Sequence, residues 1–331
     1  MSTYGGRVSG HWRAFRRSPY LPAAVIVLIA AAAAGFFAGS YTYAMAKPTP
    51  RHLPVAVVGT PDEAFLHALR GRLSASLDTR HYPDYPQAVD AVEAQRVFAI
   101  LRTRNGAAEL DIASAAGASV AELLTGDARA AARAAGTDLR ITDLKPLHPG
   151  DPRGLALFYI SIAAVIIGFL GAVQLSAQAA ALNPLERTLA TAAYALLGGL
   201  AIVLVVGWVL DAVRLPFLAS WTILSLTMFA SGMIFTMFNT LVGRWAILPT
   251  WGLMVMLGNP SSGGAVSWPL LPSLLGAIGR WLPPGASVNA QHTAIYFPGH
   301  PHAQPYVVLI GWAALSCTVF AIWRHRHPGG R

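Results

Sequence analysis

Gly258-Asn259-Pro260-Ser261-Ser262-Gly263-Gly264 is the stretch on which the reading of this chain turns, because it sets polar, helix-breaking backbone inside a long apolar half. Asn259, Ser261 and Ser262 supply polar groups, Pro260 removes a backbone donor, and Gly263 and Gly264 can adopt positive φ. The run that follows, 265–286, is punctuated by Pro269, Pro272, Pro283 and Pro284 and carries one charge, Arg280. Irregular backbone at membrane depth persists only where protein shelters it or where it lines a water-filled cavity. Residues 258–286 therefore read either as a gate or re-entrant lip held by surrounding helices, or as an ordinary interfacial loop.

The surroundings of this stretch require a bilayer. The 331 residues are 54% hydrophobic and 12% charged, and the apolar residues come in long blocks rather than amphipathic stripes. A formal charge of +9 would point to nucleic acid in a soluble protein. Here residues 47–153 hold 13 Lys/Arg and 13 Asp/Glu, so the excess lies in the membrane half, where 11 Arg face only Glu186 and Asp211. The charge is topological, and no nucleic-acid partner is expected. A single cysteine, Cys317, excludes an intrachain disulfide.

Taken in order, residues 1–20 form a basic and aromatic cytoplasmic foot containing Arg7, Arg13, Arg16 and Arg17. Residues 21–46 are uncharged and long enough, at about 1.5 Å per residue, to span about 30 Å of hydrocarbon. Ala44-Met45-Ala46 before Lys47 imitates a signal-peptidase site, but the apolar run exceeds the roughly 7–15 residues of a signal core, so it reads as an uncleaved anchor. Residues 47–153 read as a small α/β domain. A strand is expected at 55–59, helices at 62–77 and 85–95, a hairpin at 97–114 around Asn105-Gly106, a helix at 119–135 and a strand at 139–147.

Residues 154–323 read as five further membrane helices: 155–178, 189–210, 217–242, a short pass at 245–258 with Arg244 snorkelling, and 306–323. Residues 183–187 and 211–216 read as turns, and 266–282 as interfacial or re-entrant. With the first helix this gives six crossings. Arg7, Arg13, Arg16, Arg17, Arg187, Arg244, Arg324, Arg326 and Arg331 then lie inside, and, beyond the soluble domain, only Arg214 and Arg280 lie outside. The expected fold class is an α-helical polytopic membrane protein with six transmembrane helices and a small extracytoplasmic α/β domain inserted between helices 1 and 2. It would sit in the cell (plasma) membrane, with both termini, including the basic tail 324–331, in the cytoplasm.

No carboxylate falls in the middle of an expected span, which argues against a self-powered antiporter. Lys47 and Lys145 follow Ala46 and Leu144, so the Gly-Lys pair of a phosphate-binding loop is missing. His292, His300 and His302 are expected in one external loop without Asp, Glu or Cys to complete a metal site. No catalytic group, metal or cofactor is expected, and the chain does not read as an enzyme. Gly35-Phe-Phe-Ala-Gly39 matches small-xxx-small helix packing.

One helix, an insert of about a hundred residues and five helices resemble the layout of ABC-2 type permeases, most closely the YhgE/Pip-like and DUF3533-like branch of bacterial membrane proteins. Leu53-Pro-Val-Ala-Val-Val-Gly59, the 258–264 stretch, Leu271-Pro272, Leu282-Pro-Pro-Gly-Ala286 and Tyr296-Phe-Pro-Gly299 carry the likeness. The resemblance implies an exporter permease for an amphiphile or peptide, acting as a homo- or heterodimer. Asn183, Glu186 and Arg187 would form a cytoplasmic turn that touches a separate ATP-binding subunit. The insert is smaller than in many of that branch, which leaves open whether it recognises cargo or supports the dimer. The alternative is a non-transporting surface scaffold or receptor whose extracytoplasmic domain binds a partner.

Overall fold

A computed structural model describes residues 20–46, 49–73 and 77–327; most of the basic foot, Lys47 and the end of the tail lie outside the described residues. Helix α1 (Tyr20–Met45) leads into an α/β unit made of β1 (Leu53–Val58), α2 (Glu63–Arg72), β2 (Leu77–Tyr82), α3 (Tyr85–Glu93), β3 (Ala99–Arg104), β4 (Ala107–Ile112), α4 (Ala118–Ala135) and β5 (Leu139–Asp143). The strand order is β2-β1-β3-β4-β5, parallel except for the β3–β4 hairpin. Asn105 and Gly106 both take positive φ, as a tight two-residue hairpin turn requires. Asp62 and Asp84 cap α2 and α3 by accepting from Phe65 N and Gln87 N.

Alternation along the strands sorts the two faces. Leu53, Val55, Val57, Leu101 and Leu110 pack under α2 and α4, whereas Ala56, Ile100 and Val97 pack under α3. The sheet has five strands, not the four expected. The helix expected to reach residue 77 ends at Arg72, and Leu77-Asp-Thr-Arg-His-Tyr82 is an edge strand. Its Asp78, Arg80 and His81 hid it, since an edge strand tolerates charge that a central strand would not.

The second half contains α5 (Ala156–Gln178), α6 (Pro184–Leu204) prolonged by a π-helical turn (Val205–Val209), α7 (Phe217–Val242), α8 (Ile247–Trp251) continuing as a π-helical segment (Gly252–Gly258), α9 (Ser273–Gly279), α10 (Pro283–Tyr296) and α11 (Gln304–Arg326). Among the described residues, five helices are long and apolar enough to cross a membrane: Tyr20–Met45, Ala156–Gln178, Pro184–Val209, Phe217–Trp245 and Gln304–Arg326. The short pass expected at 245–258 is the apolar helix Ile247–Gly258, below that length. The helix expected to start at 189 starts at Pro184, so residues 183–187 are its cap and first turn rather than a free turn.

The largest correction is α10. Pro283-Pro284 reads as a breaker in sequence, but proline at the first turn has no intrahelical N–H bond to lose and so begins a helix here. His292 consequently lies in α10, apart from the loop that holds His300 and His302. Helix α10 packs on α5 and α7 through a chain of hydroxyls. Thr227 Oγ1 lies 2.9 Å from Ser287 Oγ, which lies 3.2 Å from Ser161 Oγ, and Gln291 Nε2 donates to the Ser220 carbonyl at 3.1 Å. Helix α7 runs against α5 at Gly168, where a Cβ would come within 2.6 Å of the Met228 carbonyl oxygen. Helix α1 stands apart: only Ala44 is buried, and Phe37 stacks on Trp251 at 5.8 Å.

Candidate functional site: the sheltered break and the cavity above it

The break begins where α8 widens. From Gly252 to Gly258 the helix is π-helical, and at Asn259-Pro260 it ends. Asn259, Ser261 and Ser262 are at most 1% exposed. Ser261 Oγ donates back to the Leu257 carbonyl at 2.6 Å and Ser262 Oγ to the Asn259 carbonyl at 2.7 Å, so the hydroxyls satisfy acceptors that the lost helix would have used. Gly263 takes φ of 82°, and the Trp268 indole lies so close that a Cβ there would sit 2.7 Å from the ring. Trp268 Nε1 donates to the Ser261 carbonyl at 3.1 Å.

Glycines make the shelter possible. A Cβ on Gly279 would collide with the Ser261 carbonyl, one on Gly285 with the Gly279 carbonyl, and one on Gly258 would lie 2.6 Å from Pro284 Cγ. The break at 258–264 and the junction of α9 with α10, 279–285, thereby pack in direct backbone contact. This meets the requirement that non-helical backbone among membrane helices be covered by protein. The Asn259 amide is the exception, since neither its oxygen nor its nitrogen makes a well-formed hydrogen bond, although the Tyr41 hydroxyl of α1 approaches it.

The α/β unit closes the other side. Arg51 N donates to the Pro269 carbonyl at 2.8 Å, Ser267 N to Ser119 Oγ at 3.0 Å, and Gln95 Nε2 to Thr293 Oγ1 at 3.0 Å. Gln95 holds positive φ to do so, at 55°. Leu270, 2% exposed, inserts into the same core as Leu53, Phe65 and Leu124, with Val266 beside it. One hydrophobic core thus contains residues of both the α/β unit and the broken stretch.

Between them lies a cavity of about 120 Å³, lined by Ser262, Gly263 and Gly264 from the break, Gln95 and Ser114 from the α/β unit, and Asn289, His292 and Tyr296 from α10. The His292 ring lies 5.7 Å from Tyr296 and 5.5 Å from Phe297 and faces the Ala115 carbonyl. Burial lowers its pKa to about 4, so at neutral pH it is uncharged. Among the described residues lining the cavity there is no Asp, Glu, Lys or Arg. The arrangement offers hydrogen bonds rather than charge, a metal or a nucleophile with its base.

Of the residues singled out in sequence, Asn259 to Gly264 are brought together at this site. Asn183, Glu186 and Arg187 are not; they lie where α5 passes into α6. There Asn183 Oδ1 accepts from Glu186 N and Glu186 Oε2 from Asn183 N, both at 2.9 Å, while Arg187 donates to Ser176 Oγ at 2.8 Å. Sequence reading missed Trp268, Gly279, Gly285, Gln95 and the placement of His292. Only the glycines left a signal, flanking Pro283-Pro284, and its meaning depended on the crossing partner. No family model matches the chain, and no curated protein or solved structure is significantly similar to it. Any functional reading therefore rests on the chemistry of the site and on the layout of the chain.

Proposed function

We propose that the chain is the membrane permease subunit of an exporter of ABC-2 type, moving an amphiphile or peptide outward with energy from a separate ATP-binding subunit. In this reading α1, α5, α6, α7, residues 245–258 and α11 make six crossings of the plasma membrane. Residues 47–153 are extracytoplasmic and both termini cytoplasmic, which, beyond that domain, puts nine arginines inside and two outside. The protein works as a dimer and performs no covalent chemistry itself.

The observation that carries the reading is the break at 258–264, polar backbone buried under Trp268 and the α9–α10 junction and joined through Leu270 to the core of the α/β unit. A break of this kind suits a passage that opens when the unit above it moves. Two experiments test it. Affinity purification of the intact chain from detergent is expected to recover a nucleotide-binding protein. Gly263→Val and Gly264→Val, which place a side chain against Trp268 and Phe158, are expected to insert normally and abolish the phenotype rescued by the wild type. Recovery of the chain alone, with both variants active, would discard the permease.

A second reading, a surface scaffold whose α/β unit binds a partner, draws on one observation. Glu186 and Arg187, the side chains expected to meet the ATP-binding subunit, are already engaged within the chain. The same purification separates the two readings.

A further inference from the structure

The cavity between the α/β unit and the break is walled by three parts of the chain that are distant in sequence, and its wall chemistry is uniform in one respect. Ser114, Ser262, Asn289, His292 and Tyr296 present hydroxyl, amide and imidazole groups, Phe98, Leu157 and Val288 present apolar surface, and none of the described lining residues carries a full charge at neutral pH. We propose that this cavity binds an uncharged hydroxyl- or amide-bearing group, either as a small solute or as the head of a neutral amphiphile.

Size is the first argument. A single water needs about 10–15 Å³ on this measure, so a void of about 120 Å³ has room for several waters or for one group of glycerol size. Charge is the second. A phosphate, carboxylate or ammonium group would give up its hydration and meet no counter-charge, whereas a hydroxyl or amide exchanges water for equivalent hydrogen bonds. His292 fits the second kind of ligand, because a neutral imidazole whose N–H faces the Ala115 carbonyl keeps its other nitrogen as an acceptor for a hydroxyl or amide donor. Location is the third. Leu157 lies in the first turn of α5, so the cavity sits where an apolar helix begins, the level at which the polar heads of a bilayer meet water. Gly117, Gly154, Gly263 and Gly264 all lie in the wall, each where an added Cβ would press on a neighbouring side chain. The inference goes beyond export, since it concerns what the cavity holds in permease and scaffold alike.

The test is cysteine protection in the full-length protein. In a Cys317→Ala background reconstituted in nanodiscs, Ala116→Cys places a thiol in the cavity wall and Gly299→Cys an exposed control. Glycerol monolaurate is expected to slow alkylation of Ala116→Cys by N-ethylmaleimide about tenfold once it exceeds its Kd about tenfold, with no effect on the control. Laurate and dodecyltrimethylammonium are expected to leave both rates unchanged. Glycerol alone decides the source: protection by it identifies a solute site, and protection by the monoester alone identifies a lipid head. Asn289→Cys repeats the measurement from α10 should Ala116→Cys not fold. Equal protection by charged and neutral amphiphiles, or none by either neutral probe, overturns the proposal.

Discussion

At the passage from α5 to α6, Asn183 and Glu186 satisfy each other's backbone N–H groups at 2.9 Å, within four consecutive residues. At the break after α8, the Ser261 and Ser262 hydroxyls also turn to backbone, but the cover of the stretch, Asn259 included, comes from Gly279, Gly285, Trp268 and the α/β unit. Both regions end one helix or begin another among apolar segments. The first solves its hydrogen-bonding problem locally, so it keeps its shape whatever the rest of the chain does. The second solves it through tertiary contacts, so its shape is tied to the position of the α/β unit.

That contrast ranks the effects of mutation. Gly279→Val should be the most damaging, because the new side chain falls on the Ser261 carbonyl and backbone cannot rotate away as a side chain could. Loss of a cooperative thermal transition, or a fall in Tm far beyond that of Gly35→Val, is the expected result. Gly35 has no atom within 4 Å of an added Cβ and serves as the matched control in α1. Equal behaviour of the two variants would mean that the backbone crossing is not tight.

Leu270→Ala comes next. A fully buried leucine truncated to alanine costs about 2–5 kcal/mol, and Leu270 is 2% exposed within the core of the sheet. The expected signature is faster hydrogen exchange in β1, α2 and α4, although the substitution lies more than a hundred residues away in sequence. Protection unchanged in those elements would separate the α/β unit from the break. The same contact bears on residues 50–150 expressed alone: they hold the sheet and three helices but lack Leu270 and Val266, so the isolated unit should fold with lower stability than in the whole chain.

The third effect depends on pH. His292 has a pKa of about 4 in the fold, below its ordinary value of 6.5, because burial disfavours the imidazolium. Between these values the unfolded chain binds the proton and the fold does not, so the native state loses stability as pH falls from about 6.5 to 4 and is unaffected above that window. His292→Gln should flatten this part of the stability profile and leave pH 8 nearly unchanged. An identical slope in wild type and variant would show that other groups govern it.

Much of this was legible before folding was considered, and what was not has a common cause. The end of α5, the whole of α7, the Asn105-Gly106 hairpin and the polar break itself follow from hydropathy and from single-residue backbone preferences. Strand β2 was hidden because Asp78, Arg80 and His81 suit an edge that only the finished sheet defines. Helix α10 was hidden because Pro283-Pro284 breaks a helix in its middle and starts one at its end, a choice made by the contacts of Gly279 and Gly285. The cavity drew on residues near 95, 114, 262 and 292, and no spacing rule joins these.

The smallest predicted effect sharpens the contrast most. Asn183→Ala removes the side-chain acceptor for Glu186 N and leaves Glu186 Oε2 with only half of the reciprocal pair, at a cost of about 1 kcal/mol for a lost cap. Because the contact is local, the loss should appear as fraying at the start of α6 and nowhere else. Hydrogen exchange should rise for residues 184–188, while α10, the break and the sheet stay as protected as in the wild type. Glu186→Gln keeps an acceptor at the same position and should retain most of that protection. If Asn183→Ala instead loosens the break or the α/β unit, the two ends of the bundle are coupled through α5 and α7, and the division between a locally closed turn and a tertiary one fails.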